Sequence, residues 1–160
     1  AFRVLADHGL ERVVADQSKH TLFGALSLCI FKNQSYEGLL MRKVRETLHE
    51  IVTHGKLPMR LHAFKNNRTL TSSFNSMPYQ EAYHRYVFDL VSIAFEAKVV
   101  VCSVQHHAAL LCETIYANKF KRQLKVLDAG DGQYEALFDR DSFEKDKIDD
   151  GTIEAVTDCY

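Results

Sequence analysis

A chain of 160 residues, 46% of them hydrophobic and 26% charged, is long enough for one domain with one core and too short for two comfortable ones. Its formal net charge of −1 supplies no overall field to hold a polyanion, so no direct nucleic-acid binding is expected. No run of about 18 apolar residues offers a membrane span, and the chain does not open on a basic-then-apolar leader.

The first helix is expected from Thr21 to about Phe31, with Leu22, Ala25, Leu26 and Cys29 on one face. Asn33-Gln34-Ser35 breaks it and offers a cap for the next helix. That helix carries Leu40, Val44, Leu48 and Ile51 as a single apolar stripe, and Gly55 with Pro58 ends it. Residues 65–77 are polar and read as a loop. Ser76 is expected to cap a third helix with Pro78 in its first turn, burying Tyr79, Tyr83, Tyr86, Leu90, Val91 and Ala94.

Val99-Val100-Val101-Cys102 is a short apolar run suited to a central strand. Leu124 to Asp128 alternates, Asp131-Gly132 makes a tight turn, and Tyr134 to Phe138 is the partner strand of a hairpin. The basic cluster Lys119-Phe120-Lys121-Arg122 reads as a solvated face. Asp139, Asp141, Asp146, Asp149 and Asp150 make the segment after the hairpin acidic and read as a solvated loop. Thr152 to Tyr160 reads as the start of a helix that stops after about two turns. A single domain over residues 1–160, excised from a longer multidomain protein, is the expectation. Helices first and a small sheet later argue for an α+β class, with helices packed on the sheet.

Cys29, Cys102, Cys112 and Cys159 show no close pairing pattern, and reduced, buried thiols are expected. Cys102-x3-His106-His107-x4-Cys112 is the one metal-like cluster. It lacks the short knuckles of a zinc site, so neither metal nor cofactor is expected. Asp128-Ala129-Gly130-Asp131-Gly132 lacks the carboxylate spacing of a calcium loop and reads as a turn.

Two segments resemble the ovarian-tumour (OTU) family of cysteine proteases. In that family an Asp-Gly-x-Cys element runs into Leu-Phe-Arg-Ala, and a late His-Tyr-Asp-x-Val-Tyr strand supplies the general base. Here Ser18-Lys19-His20-Thr21 runs into Leu22-Phe23-Gly24-Ala25, and Gln133-Tyr134-Glu135-Ala136-Leu137-Phe138 stands at the strand. The segment Gly9 to Phe23 is most similar to the opening of the insect ovarian-tumour protein and of vertebrate domains of its type. The resemblance implies an OTU-like, papain-like α+β fold with a small central sheet packed between helices. It also implies that Thr21 stands at the nucleophile, Gln133 at the base and Ser18 at the orienting acid.

Such replacements remove the chemistry of a Cys–His pair. A threonine hydroxyl is far less acidic than a thiol, and threonine nucleophiles rely on a free terminal amine that an internal Thr21 lacks. A glutamine amide accepts no proton at working pH. Single losses of this kind cost about 10⁴–10⁶ in rate. His20 is adjacent to Thr21 and points elsewhere, Cys29 lies two turns into the helix on its apolar face, and Glu135 is expected to face solvent.

The resemblance therefore implies an inactive domain that binds a protein through Ser18, Lys19, His20, Thr21, Gln133 and Tyr134. Ubiquitin or a dedicated protein partner would be the ligand, in a cytoplasmic, germline or RNA-linked setting. The alternative is a weak or rewired ubiquitin isopeptidase that uses Thr21 or a partner-supplied group.

Overall fold

The computed structural model describes residues 3–15, 20–105 and 109–140. Five helices are described: α1 (Arg3–Asp7), α2 (Thr21–Phe31), α3 (Glu37–Thr53), α4 (Arg68–Ser76) and α5 (His84–Phe95). The strands are β1 (Leu10–Val13), β2 (Ala97–Val104), β3 (Leu110–Ile115), β4 (Arg122–Gly130) and β5 (Gln133–Asp139). They form one sheet in the order β1-β5-β4-β2-β3, antiparallel except where β2 runs parallel to β4. This is the expected α+β class.

Period-2 alternation divides the sheet between two apolar clusters. Val99, Leu124, Val126, Ala136 and Phe138 face the main core, which they share with α2, α3 and α5. Val100, Cys102, Leu127 and Leu137 point to the opposite face, where Leu5 of α1 covers them. Helix α2 spans the expected residues but is buried on nearly every side, because it lies against β4, β5 and α3 together. Lys32 ends it in the left-handed conformation (φ 55°). In α3 the stripe Leu40, Val44 and Leu48 is buried as the spacing predicts, with Ile51 partly so.

The polar stretch 65–77 is not a loop. Asn67 accepts a hydrogen bond from Leu70 N–H at 3.0 Å and starts α4. The hydroxyls of Thr71 and Ser76 turn back onto carbonyls four residues earlier, so they do not compete with the helix. Ser76 accordingly closes α4 and caps no third helix. The chain passes through a 3-10 turn at Glu81–Tyr83, and α5 begins at His84.

Leu124 to Phe138 forms the expected hairpin. Its two-residue loop has positive φ at both Asp131 (55°) and Gly132 (74°), the geometry that right-twisted strands favour.

Strands β1 and β3 have no counterpart among the predicted elements. On β3, Cys112 is exposed and lies directly opposite Cys102, with which it forms a disulfide. This corrects the expectation of reduced, buried thiols for that pair. The hairpin register places residues ten apart face to face, which their linear spacing does not reveal. Cys29 is buried and free, whereas Cys159, the acidic segment beyond Arg140, the helix expected from Thr152, and His106 with His107 lie outside the described residues. Among the described residues, no group of three or more His, Cys, Asp or Glu could hold a metal ion, and no helix is long and apolar enough to cross a membrane.

Candidate functional site

The first turn of α2 and the first residues of β5 meet at one end of the sheet. Thr21 opens α2, and its hydroxyl accepts a hydrogen bond from Tyr134 N–H at 2.9 Å. The oxygen expected at the nucleophile position thus ties the helix to the strand. Gln133, the first residue of β5, is exposed and lines a recess of about 150 Å³ together with Thr21. Ser18 and Lys19 lie outside the described residues.

His20 is not an isolated surface side chain. Its ring stacks on Tyr79, with centroids 4.0 Å apart and planes 17° from parallel. Tyr79 belongs to the stripe expected in the core, yet it is only partly buried and forms a wall of the recess. Tyr134 is buried between His84 and Phe88, so it offers the site its backbone N–H rather than its ring. Burial pushes its phenol up to about 12, which leaves it neutral at working pH.

Two further residues settle earlier expectations. Cys29 donates its thiol to the Lys125 carbonyl at 3.1 Å, and burial pushes the thiol up to about 12, so it supplies no thiolate. Glu135 does not face solvent. It is buried and accepts two hydrogen bonds from Arg12 on β1, Nε to Oε1 at 2.9 Å and Nη2 to Oε2 at 2.6 Å. β1 pairs with β5 along this edge, and the Arg12 guanidinium it carries compensates the buried carboxylate.

His84, at the start of α5, also lines the recess and carries no sequence signal of its own inside an amphipathic helix. It is 7% exposed, and its Nε2–H donates to the Tyr79 carbonyl at 3.1 Å. A carbonyl accepts only, so Nε2 carries the proton and Nδ1 is left as an acceptor. No donor reaches Nδ1.

Burial lowers the His84 pKa below its ordinary 6.5, against smaller opposing effects from the Tyr79 carbonyl, Glu81 and Asp128. Folding therefore favours the neutral ring. The stabilisation is complete above the unfolded-state pKa and is lost as pH falls through the lower folded-state value. Urea midpoints measured near neutral pH and at about pH 5 are expected to drop for the wild type, and to drop less for His84→Gln.

No family model matches this sequence, and no curated protein does. The solved structures give a different result. The chain superimposes on the OTU domain of OTUD1 with a TM-score of 0.62 at 14% identity, over 86% of this chain and 91% of that one. The fold is that of an OTU domain. The OTU domain protease of Qalyub virus matches with a TM-score of 0.61 at 11% identity, over 82% of this chain and 85% of that one. An OTU domain in complex with ubiquitin matches with a TM-score of 0.53 at 17% identity, over 92% of this chain and 83% of that one. The structural likeness and the short motifs at both ends of the chain agree on the same OTU architecture.

Proposed function

We propose that this OTU-fold domain is a catalytically silent protein-interaction module, which binds ubiquitin or a dedicated protein partner across the cleft between α2 and β5. The observation that carries this reading is the Thr21 hydroxyl. It is engaged as the acceptor for Tyr134 N–H, and the neighbouring residue at the base position is Gln133. A hydroxyl beside an amide lacks both an activated nucleophile and a proton acceptor. Ubiquitin is the first ligand to test, because a solved domain with this fold is in complex with it. The proposed setting is cytoplasmic, with a germline or RNA-linked role in a longer chain.

One observation favours the second reading, a rewired isopeptidase. His84 lines the same recess as Thr21, and its neutral ring has an Nδ1 free of donors. Two measurements separate the readings. The isotope-labelled domain titrated with mono-ubiquitin is expected to show saturable amide shifts clustered at Thr21, Gln133 and the adjoining surface. Incubation with ubiquitin chains is expected to yield no cleavage above background. Cleavage that Thr21→Ala or His84→Gln abolishes would refute the silent reading.

A further inference from the structure

We infer that Cys112 is a thiol-exchange site, at which a low-molecular-weight thiol of the glutathione class forms a mixed disulfide, with Cys102 as the resolving partner. The Cys102–Cys112 bond is asymmetric. It joins Cys102, an interior residue only 1% exposed, to an exposed residue on the border strand β3. Exchange proceeds by attack of a thiolate on one sulfur and departure of the other, so access decides which cysteine takes the incoming group.

The sheet register makes that choice. A nucleophile reaches a disulfide sulfur in line with the bond that breaks, from the side away from the leaving sulfur. For Cys102 that side is β4, where Leu127 stands opposite it in the parallel register. Leu127 is fully buried and shares an apolar cluster with Cys102, Leu5, Val100 and Leu137. For Cys112 that side is the border of the sheet, beyond which no strand lies among the described residues. Side chains alternate along a strand, so Leu110 and Thr114 flank Cys112 on its face of β3. Thr114 is exposed, Leu110 is only partly covered, and neither carries a charge. The path to Cys112 is open, and the path to Cys102 is filled.

The step balances without an oxidant. The electron pair of the thiolate bonds to the Cys112 sulfur, the Cys102–Cys112 bond breaks, and its electron pair leaves on Cys102, which takes up a proton. The products are a mixed disulfide at Cys112 and a thiol at Cys102, still held opposite it by the β2–β3 ladder. Return attack by Cys102 is intramolecular; it expels the small thiol and restores the original bond. An exposed cysteine beside a resolving one is the arrangement of a reversible redox sensor. The free Cys29 takes no part, since it is buried in the other apolar cluster. Nothing in this inference depends on what the cleft beside Thr21 binds.

The test incubates the protein in a millimolar mixture of reduced glutathione and its disulfide, quenches with acid, digests, and weighs the cysteine peptides by mass spectrometry. The wild type is expected to show glutathione on Cys112 paired with a free thiol on Cys102. Cys102→Ala has no resolving thiol, so its adduct at Cys112 should accumulate at least about tenfold above that of the wild type. Cys112→Ala leaves only the sheltered member of the pair, and Cys102 should then react at least about tenfold more slowly than Cys112 does in Cys102→Ala. Cys29 reports on folding within each sample, because it stays unmodified while the core is closed.

Glutathione on Cys102 in the wild type, or no adduct on either cysteine, overturns the inference. So does equal reaction of the two variants with Cys29 still protected. If Cys29 becomes labelled in a variant, that variant has opened, and the position of the wild-type adduct decides.

Discussion

Replacing Phe74 by alanine is expected to lower the folding free energy by about 3–5 kcal/mol, the usual range for a buried phenylalanine. A small domain holds about 5–15 kcal/mol in total, so this one change consumes much of its margin. The reason lies in the composition of α4. Of its nine residues only Leu70 and Phe74 are apolar, and only Phe74 is fully buried. Its ring meets Phe64 and Tyr83 edge-on with centroids 5.6 Å away, and Tyr86 at 6.5 Å. Truncation removes the anchor of the helix and leaves a cavity lined by three aromatic rings. Equilibrium urea unfolding measures the loss, and hydrogen exchange should show the α4 amides opening first. Phe74→Leu keeps most of the volume and should cost less than about 1.5 kcal/mol. A loss below about 1 kcal/mol for the alanine variant would mean that α4 docks by some other contact.

The second large effect is expected at Arg12. Its Arg12→Met variant leaves Glu135 as a buried carboxylate with no guanidinium opposite. The side chain of Glu135 is 10% exposed and that of Arg12 is 36% exposed. A fully buried pair broken in this way costs about 3–5 kcal/mol, and the access of water to the Arg12 side reduces the expected loss to about 2 kcal/mol. The asymmetry of burial makes a sharper prediction. Glu135→Leu leaves a guanidinium that water can solvate, so it should cost less than Arg12→Met. The double variant Arg12→Met/Glu135→Leu should be more stable than the sum of the single losses by at least about 1 kcal/mol. Additive losses in urea unfolding would show that the ion pair does not bind β1 to β5.

How much of this was legible in the sequence depends on how local each signal is. The helix from Thr21 to Phe31 and the hairpin around Asp131-Gly132 each carry their periodicity and turn chemistry within about 15 residues, and both were readable. Strand β1 was not, because four residues with Glu11 and Arg12 at their centre have no apolar pattern. Its partner Leu137 lies at the other end of the chain from Arg12. Helix α4 was hidden by its polarity: only the cap at Asn67 and the placement of Phe74 among aromatic rings distant in sequence make it a helix.

The site divides in the same way. Thr21 and Gln133 were singled out through paired motifs, and the structure brings them to one recess. Ser18 and Lys19 lie outside the described residues. Tyr79, Glu81, His84 and Asp131 were not singled out as site residues, since aromatic spacing and turn chemistry suit a core stripe and a plain hairpin equally well. Glu135 was misassigned because the guanidinium that buries it comes from a strand the sequence did not reveal.

One of the two outer strands of the sheet has a further consequence, for how copies of this protein behave toward each other. A border strand offers a row of free amides and carbonyls on which a strand of another molecule can continue the sheet, or it can detach and insert into a second copy. β3 is such a border, and Leu111 on it is 60% exposed. Glu113 places a charge on the same stretch, a common deterrent to stacking. The Cys102–Cys112 bond does something a charge cannot: it covalently joins the border to its inner neighbour at a directly opposed pair. While that bond lasts, β3 cannot be peeled away and exchanged, so this border of the sheet is closed to swapping by a covalent link.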